Sequence, residues 1–336
     1  MSEGHMAAEI REAATAVERQ ADALAAPLRE LVARLERRPP AVVVTCARGS
    51  SAHAATFGKH LIERHLGIPV AAAAPSVATV YHRRLRLDGQ LYLSVSQSGR
   101  SDDLVEMAAS AKAAGALTVA LVNVTDSPLA AASDVVLPMA AGPELSVAAT
   151  KTFVASAAAL LRLRAAWLHD ADTEAALERL PERLAAAARL DWSAALDQLA
   201  DTVSLITIGR GPTLAIAREA SLKLKETCNL HAEAFSGAEF LHGPVTLVDE
   251  DYPILMFMPG DEAAAGLRGL SENLRGKGAS LWVAEPGGLP ALAPDHPEAD
   301  ALCLLQSFYA FAVRLAARRG IDVDRPRHLQ KVTRTR

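Results

Sequence analysis

Several stretches of this 336-residue chain combine side chains that could do chemistry together. The first is Ser94-Val95-Ser96-Gln97-Ser98-Gly99-Arg100-Ser101-Asp102-Asp103, which follows an apolar run and leads into a helical pattern from about Asp102. Hydroxyls, an amide and a flexible glycine at a helix N-terminus make an anion site. The unpaired backbone N–H groups and the helix dipole there both favour negative charge. The same composition also fits a serine-rich turn that does no more than cap a helix. A second polar turn, Gly49-Ser50-Ser51-Ala52-His53, follows an earlier apolar run and makes a paired anion site the stronger reading. Neither turn has Walker A spacing, and no GxGxxG follows the first strand, so nucleotide binding is not favoured.

Charged groups recur in Arg218-Glu219-Ala220-Ser221-Leu222-Lys223-Leu224-Lys225-Glu226. Glu219, Lys223 and Glu226 fall at i, i+4 and i+7, on one helical face. That spacing fits a solvated ladder of ion pairs, which contributes little. It equally fits a catalytic cluster with Glu226 as a base tuned by its neighbours. Further on, His231, Glu233 and His242 match no metal-ligand spacing, and no metal is expected. His242 precedes Gly243-Pro244 and so belongs to a loop, where an exposed acid or base fits better than a core histidine. His53 fits a packed or capping role as well as a functional one. The C-terminal tail from Asp324 to Arg336 is basic in an otherwise acidic chain; it is either a frayed terminus or a strap bringing Lys331 to a sugar carbonyl.

These groups need a scaffold. Short apolar runs at Ala41–Cys46, Val70–Ala74, Leu91–Ser96, Leu117–Asn123 and Val135–Met139 are mostly separated by helix-length segments. Continuously apolar strands alternating with helices predict a doubly wound α/β fold with a parallel sheet covered on both faces. A long Ala/Leu/Arg helical region from about 151 to 200 precedes a second such set, at Leu205–Ile208, Pro253–Met258 and Ser280–Ala284, closed by a helix near 303–319. Thr45-Cys46-Ala47-Arg48-Gly49 aligns without gaps on Thr207-Ile208-Gly209-Arg210-Gly211. We read an internal duplication, whose strand carboxyl ends are expected to face a shared cleft. The expected divisions are a helical segment over 1–38, subdomains over 39–170 and 190–322, and a tail over 323–336.

The bulk properties narrow the function. Half the residues are hydrophobic but only 4% are aromatic, and the net charge is −4. A chain of this length can bury a large core, which excludes a disordered or collagen-like protein. The acidic balance argues against nucleic-acid binding. Cys46, Cys228 and Cys303 lie far apart without CxxC spacing, and read as reduced, mostly buried thiols. The N-terminus has no basic-then-apolar leader, and the apolar stretches at 66–81 and 152–168 are broken by prolines or arginines. The expectation is a cytoplasmic protein without membrane contact.

In this order the motifs resemble the sugar isomerase (SIS) domain family, in particular the isomerase half of glucosamine-6-phosphate synthases. The markers are Ser96-Gln97-Ser98-Gly99, Ala141-Gly142-Pro143-Glu144 with Ala149-Thr150-Lys151, Leu222 to Glu226, His231 to Ala234, Glu239 to Pro244, and Asp322 to Lys331. The resemblance implies two tandem SIS subdomains in which Ser51, Ser96, Gln97, Ser98 and Ser101 hold the phosphate of a small sugar phosphate. It implies that Glu226 moves a proton between C1 and C2, assisted by Lys223 with Glu219 nearby. It further implies that His242 opens the sugar ring from the neighbouring subunit of a homodimer sharing its active site, and that Lys331 matches a tail lysine forming a Schiff base with the keto sugar. No metal, nucleotide or redox cofactor is implied.

Two departures shift the expected reaction. The synthases begin with a glutaminase domain bearing an N-terminal cysteine nucleophile, whereas here the first strand begins near Ala41 and no cysteine precedes Cys46. Arg100 stands where the synthases typically have Glu, and Arg325-Pro326-Arg327-His328-Leu329 resembles the tail of SIS-type glucosamine-6-phosphate deaminases. The expectation is therefore a deaminase releasing fructose 6-phosphate and ammonia. A fructosamine-6-phosphate deglycase, a galactosamine-6-phosphate deaminase and a non-catalytic sugar-phosphate sensor remain as alternatives.

Overall fold

A computed structural model describes residues 4–331. Residues 1–3 and, of the expected active-site tail, 332–336 lie outside the described residues. The chain divides into two units.

The first unit comprises Thr15–Glu144, Lys151–Glu178 and the chain from Gln330. Its elements follow α1 (His5–Arg37): β1 (Val43–Ala47), α2 (Gly49–Leu66), β2 (Val70–Ala72), α3 (Ser76–Thr79), β3 (Leu91–Ser96), α4 (Asp102–Ala113), β4 (Leu117–Val122), α5 (Pro128–Ala132), β5 (Val135–Pro138) and α6 (Lys151–Leu168). The strands form one parallel sheet in the order β2-β1-β3-β4-β5. All six residues of β3 are buried, as expected for a central strand covered on both faces. Val44, Cys46 and Tyr92 from the sheet pack with Leu104 and Met107 of α4 in one apolar cluster. The chain leaves β1 and β3 in opposite directions along the sheet, and such a switch point opens a crevice at the strand carboxyl ends.

The second unit comprises the chain up to Ala14, Leu145–Thr150 and Arg179–Leu329. After α7 (Ala171–Ala187) come α8 (Leu196–Asp201), β6 (Ser204–Gly209), α9 (Pro212–Cys228), β7 (His231–Ser236), α10 (Gly237–Phe240), β8 (Pro253–Phe257), α11 (Ala264–Gly276), β9 (Ser280–Ala284) and α12 (Pro297–Arg318). Its parallel sheet runs β7-β6-β8-β9, repeating the start of the first order. Ile206, Ile208, Met256, Leu267 and Val283 form its core beside α11. The aligned segments at 45–49 and 207–211 both end in a left-handed glycine, Gly49 at φ 52° and Gly211 at φ 57°. Each turns a strand abruptly into a helix, a conformation glycine adopts at least cost.

The expected helical region at 151–200 consists of α6, α7 and α8, the first two parted where His169 turns left-handed and Asp170 accepts from the Asp172 and Thr173 N–H groups. Two elements differ from the sequence expectation. Residues 231–236 form β7, which lacks the apolar signature because it is an edge strand with His231 and Glu233 exposed. The closing helix α12 starts at Pro297, and it is long and apolar enough to cross a membrane. Its apolar window is 78% buried, as in a core helix. Cys46, Cys228 and Cys303 are free and buried.

Candidate active site

In the first unit, both serine-rich turns stand at the carboxyl ends of adjacent strands. β1 and β3 pair with Cys46 beside Ser94 and Ala47 beside Val95, so the turns that follow them are neighbours. Arg48 fastens them together. Its guanidinium, at the start of α2, donates to buried Asp103 in the first turn of α4, at 2.7 Å from Nη2 and 3.1 Å from Nε. Asp103 also accepts from the Leu104 N–H, so its charge is spent on Arg48 and on the helix end.

The turn after β3 is shaped by its own side chains. The Ser96 hydroxyl accepts from the Gly99 N–H at 3.1 Å, and Ser98 accepts from the Arg100 N–H at 3.3 Å. Gly99 has φ 62°, and a Cβ there would sit 2.1 Å from Ser127 Oγ. Ser101 holds the N-cap position of α4, yet its side chain makes no capping bond. Helix capping alone therefore does not account for that hydroxyl. Ser51, Gln97, Ser98 and Ser101 are half-buried around this crevice, while Ser96 is buried. Cys46 ends below, but burial pushes its thiol pKa up, opposing thiolate chemistry there. The arrangement can hold a dianion through backbone N–H groups and hydroxyls at two helix starts.

Also in the first unit, Lys331 Nζ lies 3.3 Å from Oε2 of buried Glu144. By sequence Glu144 is only part of the Ala141–Glu144 motif.

In the second unit, α9 carries the ionic cluster, and it is not a solvated ladder. The side chains of Lys223 and Glu219 are fully buried, their Nζ and Oε1 3.6 Å apart. Lys223 also pairs with Glu226, whose side chain keeps 21% of its surface exposed. Tyr309, from α12, donates its hydroxyl to Glu219 Oε1 at 3.1 Å. A buried ammonium is thus held between two carboxylates, and only Glu226 reaches solvent. A carboxylate set against a fixed cation and still accessible is placed to take up and return a proton. Next to it, Lys225 donates to Ser221 Oγ and to the Ala232 carbonyl, tying α9 to β7. Burial lowers the Lys225 pKa, against the pull of Glu233 and Glu226.

His242 stands apart from this triad. It is exposed just beyond α10, on a cavity of about 480 Å³ shared with Arg210, Leu241 and Asn273; Glu219, Lys223 and Glu226 do not line it. His231 and Glu233 are exposed on β7, and among the described residues no three His, Cys, Asp or Glu side chains group as metal ligands. Sequence reasoning missed Arg48–Asp103, Tyr309 and the partner of Lys331. A tyrosine within the apolar run of α12 was the one usable signal; the other pairings are long-range.

The geometry defines a two-sheet α/β protein with paired serine-rich turns at the end of one sheet and a buried Glu–Lys–Glu ion cluster beside the other. The SIS domain model matches residues 41–164 and 198–284, more than half of the chain, which therefore belongs to the SIS domain family. The chain is 33% identical over 311 residues to the glutamine–fructose-6-phosphate aminotransferase (isomerizing) of Thermotoga maritima, covering 86% of this chain and 50% of that protein. It thus spans about half the length of the curated relatives it matches. A solved structure from Silicibacter pomeroyi DSS-3, provisionally described as a phosphosugar isomerase, is 47% identical with TM-score 0.91, over 95% of this chain and 99% of that one. The glucosamine-6-phosphate deaminase of Thermotoga maritima shares the fold at TM-score 0.72 and 22% identity, over 96% and 100% of the two chains.

Proposed function

We propose that the protein is an aldose–ketose isomerase of amino-sugar phosphates, acting as a glucosamine-6-phosphate deaminase that yields fructose 6-phosphate and ammonia. The observation that carries the reading is the α9 cluster, where accessible Glu226 is held against buried Lys223, itself balanced by buried Glu219. Such a group suits proton transfer between adjacent carbons. The serine turns fastened by Arg48 suit the phosphate, whose remote anchoring supplies positioning energy. Similarity to aminotransferase and phosphosugar isomerase relatives supports the same substrate class.

The chemistry closes. Opening the ring, assigned to His242 from the partner subunit of a cytoplasmic homodimer, exposes a C1 aldehyde. Glu226 removes the C2 proton to give an enolamine, and its return at C1 leaves a C2 imine. Addition of water to the imine expels ammonia, and the role assigned to Lys331 is toward the keto sugar. Arg100 and the Arg325–Leu329 tail support deamination over synthesis. A second reading, the isomerase part of a glutamine-dependent aminotransferase, is favoured by the 33% identity to such proteins. Incubation with glucosamine 6-phosphate, following ammonia and fructose 6-phosphate together, tests the choice. Equal release of both is expected. No ammonia from glucosamine 6-phosphate while fructose 6-phosphate is still isomerised would favour the second reading, and no reaction with either sugar phosphate would overturn both.

A further inference from the structure

The loop between β5 and α6 is held with unusual completeness. Arg19 donates to the Ala140 carbonyl at 2.9 and 2.7 Å, and Gln20 to the Met139 carbonyl at 2.9 Å. Asn123 clamps the next two residues, accepting from the Ala141 N–H at 2.9 Å and donating to the Gly142 carbonyl at 2.8 Å. Lys151, buried at the start of α6, donates to the Pro143 carbonyl. Within this loop Ala140 is left-handed at φ 53°, a conformation that disfavours a side chain and persists only where the surroundings impose it. The same Asn123 donates its backbone N–H to the Gln97 carbonyl at 3.2 Å. The loop and the serine turn are therefore braced through one residue.

What this bracing presents is Glu144. Its side chain is fully buried; Oε1 accepts from the Thr152 N–H at 3.1 Å and Oε2 from the Thr152 hydroxyl at 2.7 Å. Oε2 also accepts from Lys331 Nζ, on a side chain 27% exposed. We propose that Glu144 is the seat of Lys331, a positioning residue that docks the C-terminal tail by its ammonium on a loop braced to the Gln97 turn. A role confined to ending α6 would engage Thr152 alone. The seat also gives a defined place to the lysine that follows the exposed run Arg327–Gln330. The functional consequence rests on the proposed reaction, in which Lys331 serves the keto sugar.

The test uses the full chain and two readouts. Trypsin cleavage after Arg327 reports tail docking without any substrate. Glu144→Gln keeps the shape and an acceptor for Thr152 but removes the charge, and is expected to speed that cleavage about fivefold, the scale of one partly exposed ion pair. Lys331→Met should speed it equally and tests the contact from the other side should Glu144→Gln fold poorly. Thr152→Val, which loses only the hydroxyl bond, should leave cleavage within about twofold. In kinetics, Glu144→Gln should lower kcat/KM about tenfold and have no further effect in the Lys331→Met background, because coupled residues are not additive. Unchanged cleavage in Glu144→Gln or Lys331→Met, or a kinetic loss that persists without Lys331, would overturn the seat. Faster cleavage in a chain inactive on every amino-sugar phosphate would support the seat while refuting the reaction.

Discussion

Replacing Glu226 with glutamine separates chemistry from stability in the α9 cluster. Glutamine preserves the shape and an oxygen that accepts from Lys223, and removes only the basic charge. Lys223 keeps Glu219 at 3.6 Å, an attraction of about 4–5 kcal/mol at an effective dielectric constant of about 20. The buried ammonium therefore stays compensated, and the loss of folding stability should be limited to about 1–2 kcal/mol. Removing a positioned general base typically costs about 10²–10⁴ in rate, or about 2.7–5.5 kcal/mol of activation energy. The variant should thus fold, bind glucosamine 6-phosphate calorimetrically with near-normal affinity, and release ammonia at least about a hundredfold more slowly. Retention of a tenth or more of the wild-type rate would refute Glu226 as the base. Loss of binding together with turnover would instead assign it to holding the sugar.

Glu219→Gln likewise leaves Lys223 one counter-charge, Glu226, and should cost the fold about 1–2 kcal/mol in urea titration, an effect that unchanged stability would exclude. Gly99→Ala places a methyl 2.1 Å from Ser127 Oγ at a left-handed position, and should lower kcat/KM about tenfold through weaker phosphate binding; an unaltered KM would disprove the phosphate assignment. Burial pushes the Cys303 thiol up to about 12 from 9.0. Between those values the unfolded chain has released a proton that the native state retains, so stability should fall as pH rises through that window. Cys303→Ala should show a weaker decline in urea titrations between pH 8 and 10.5, and an identical slope would contradict the burial argument.

Much of the architecture was legible because it is local. Runs such as Leu91–Ser96 and Leu117–Val122 carry no charged residue and place apolar side chains on both faces, as strands covered on both faces do, and each ends at a polar or glycine turn. The repeated strand–glycine–helix turn disclosed the duplication for the same reason. β7 escaped notice because an edge strand buries little and carries His231 and Glu233, so its identity comes from hydrogen bonding to β6 rather than from its own composition.

Sequence spacing alone placed Glu219, Lys223 and Glu226 on one face, and placed hydroxyls and a glycine where a strand becomes a helix. It left open whether the charged face meets water or the interior, since helical periodicity is the same in both cases. The tertiary structure decided that point by packing α12 over α9 so that Tyr309 reaches Glu219 and Lys223 loses all contact with solvent. It likewise decided that Arg48 joins Asp103, 55 residues away, and that Lys331 meets Glu144 across 187 residues. Such partners are chosen by chain reversals and burial, which no local window of sequence contains.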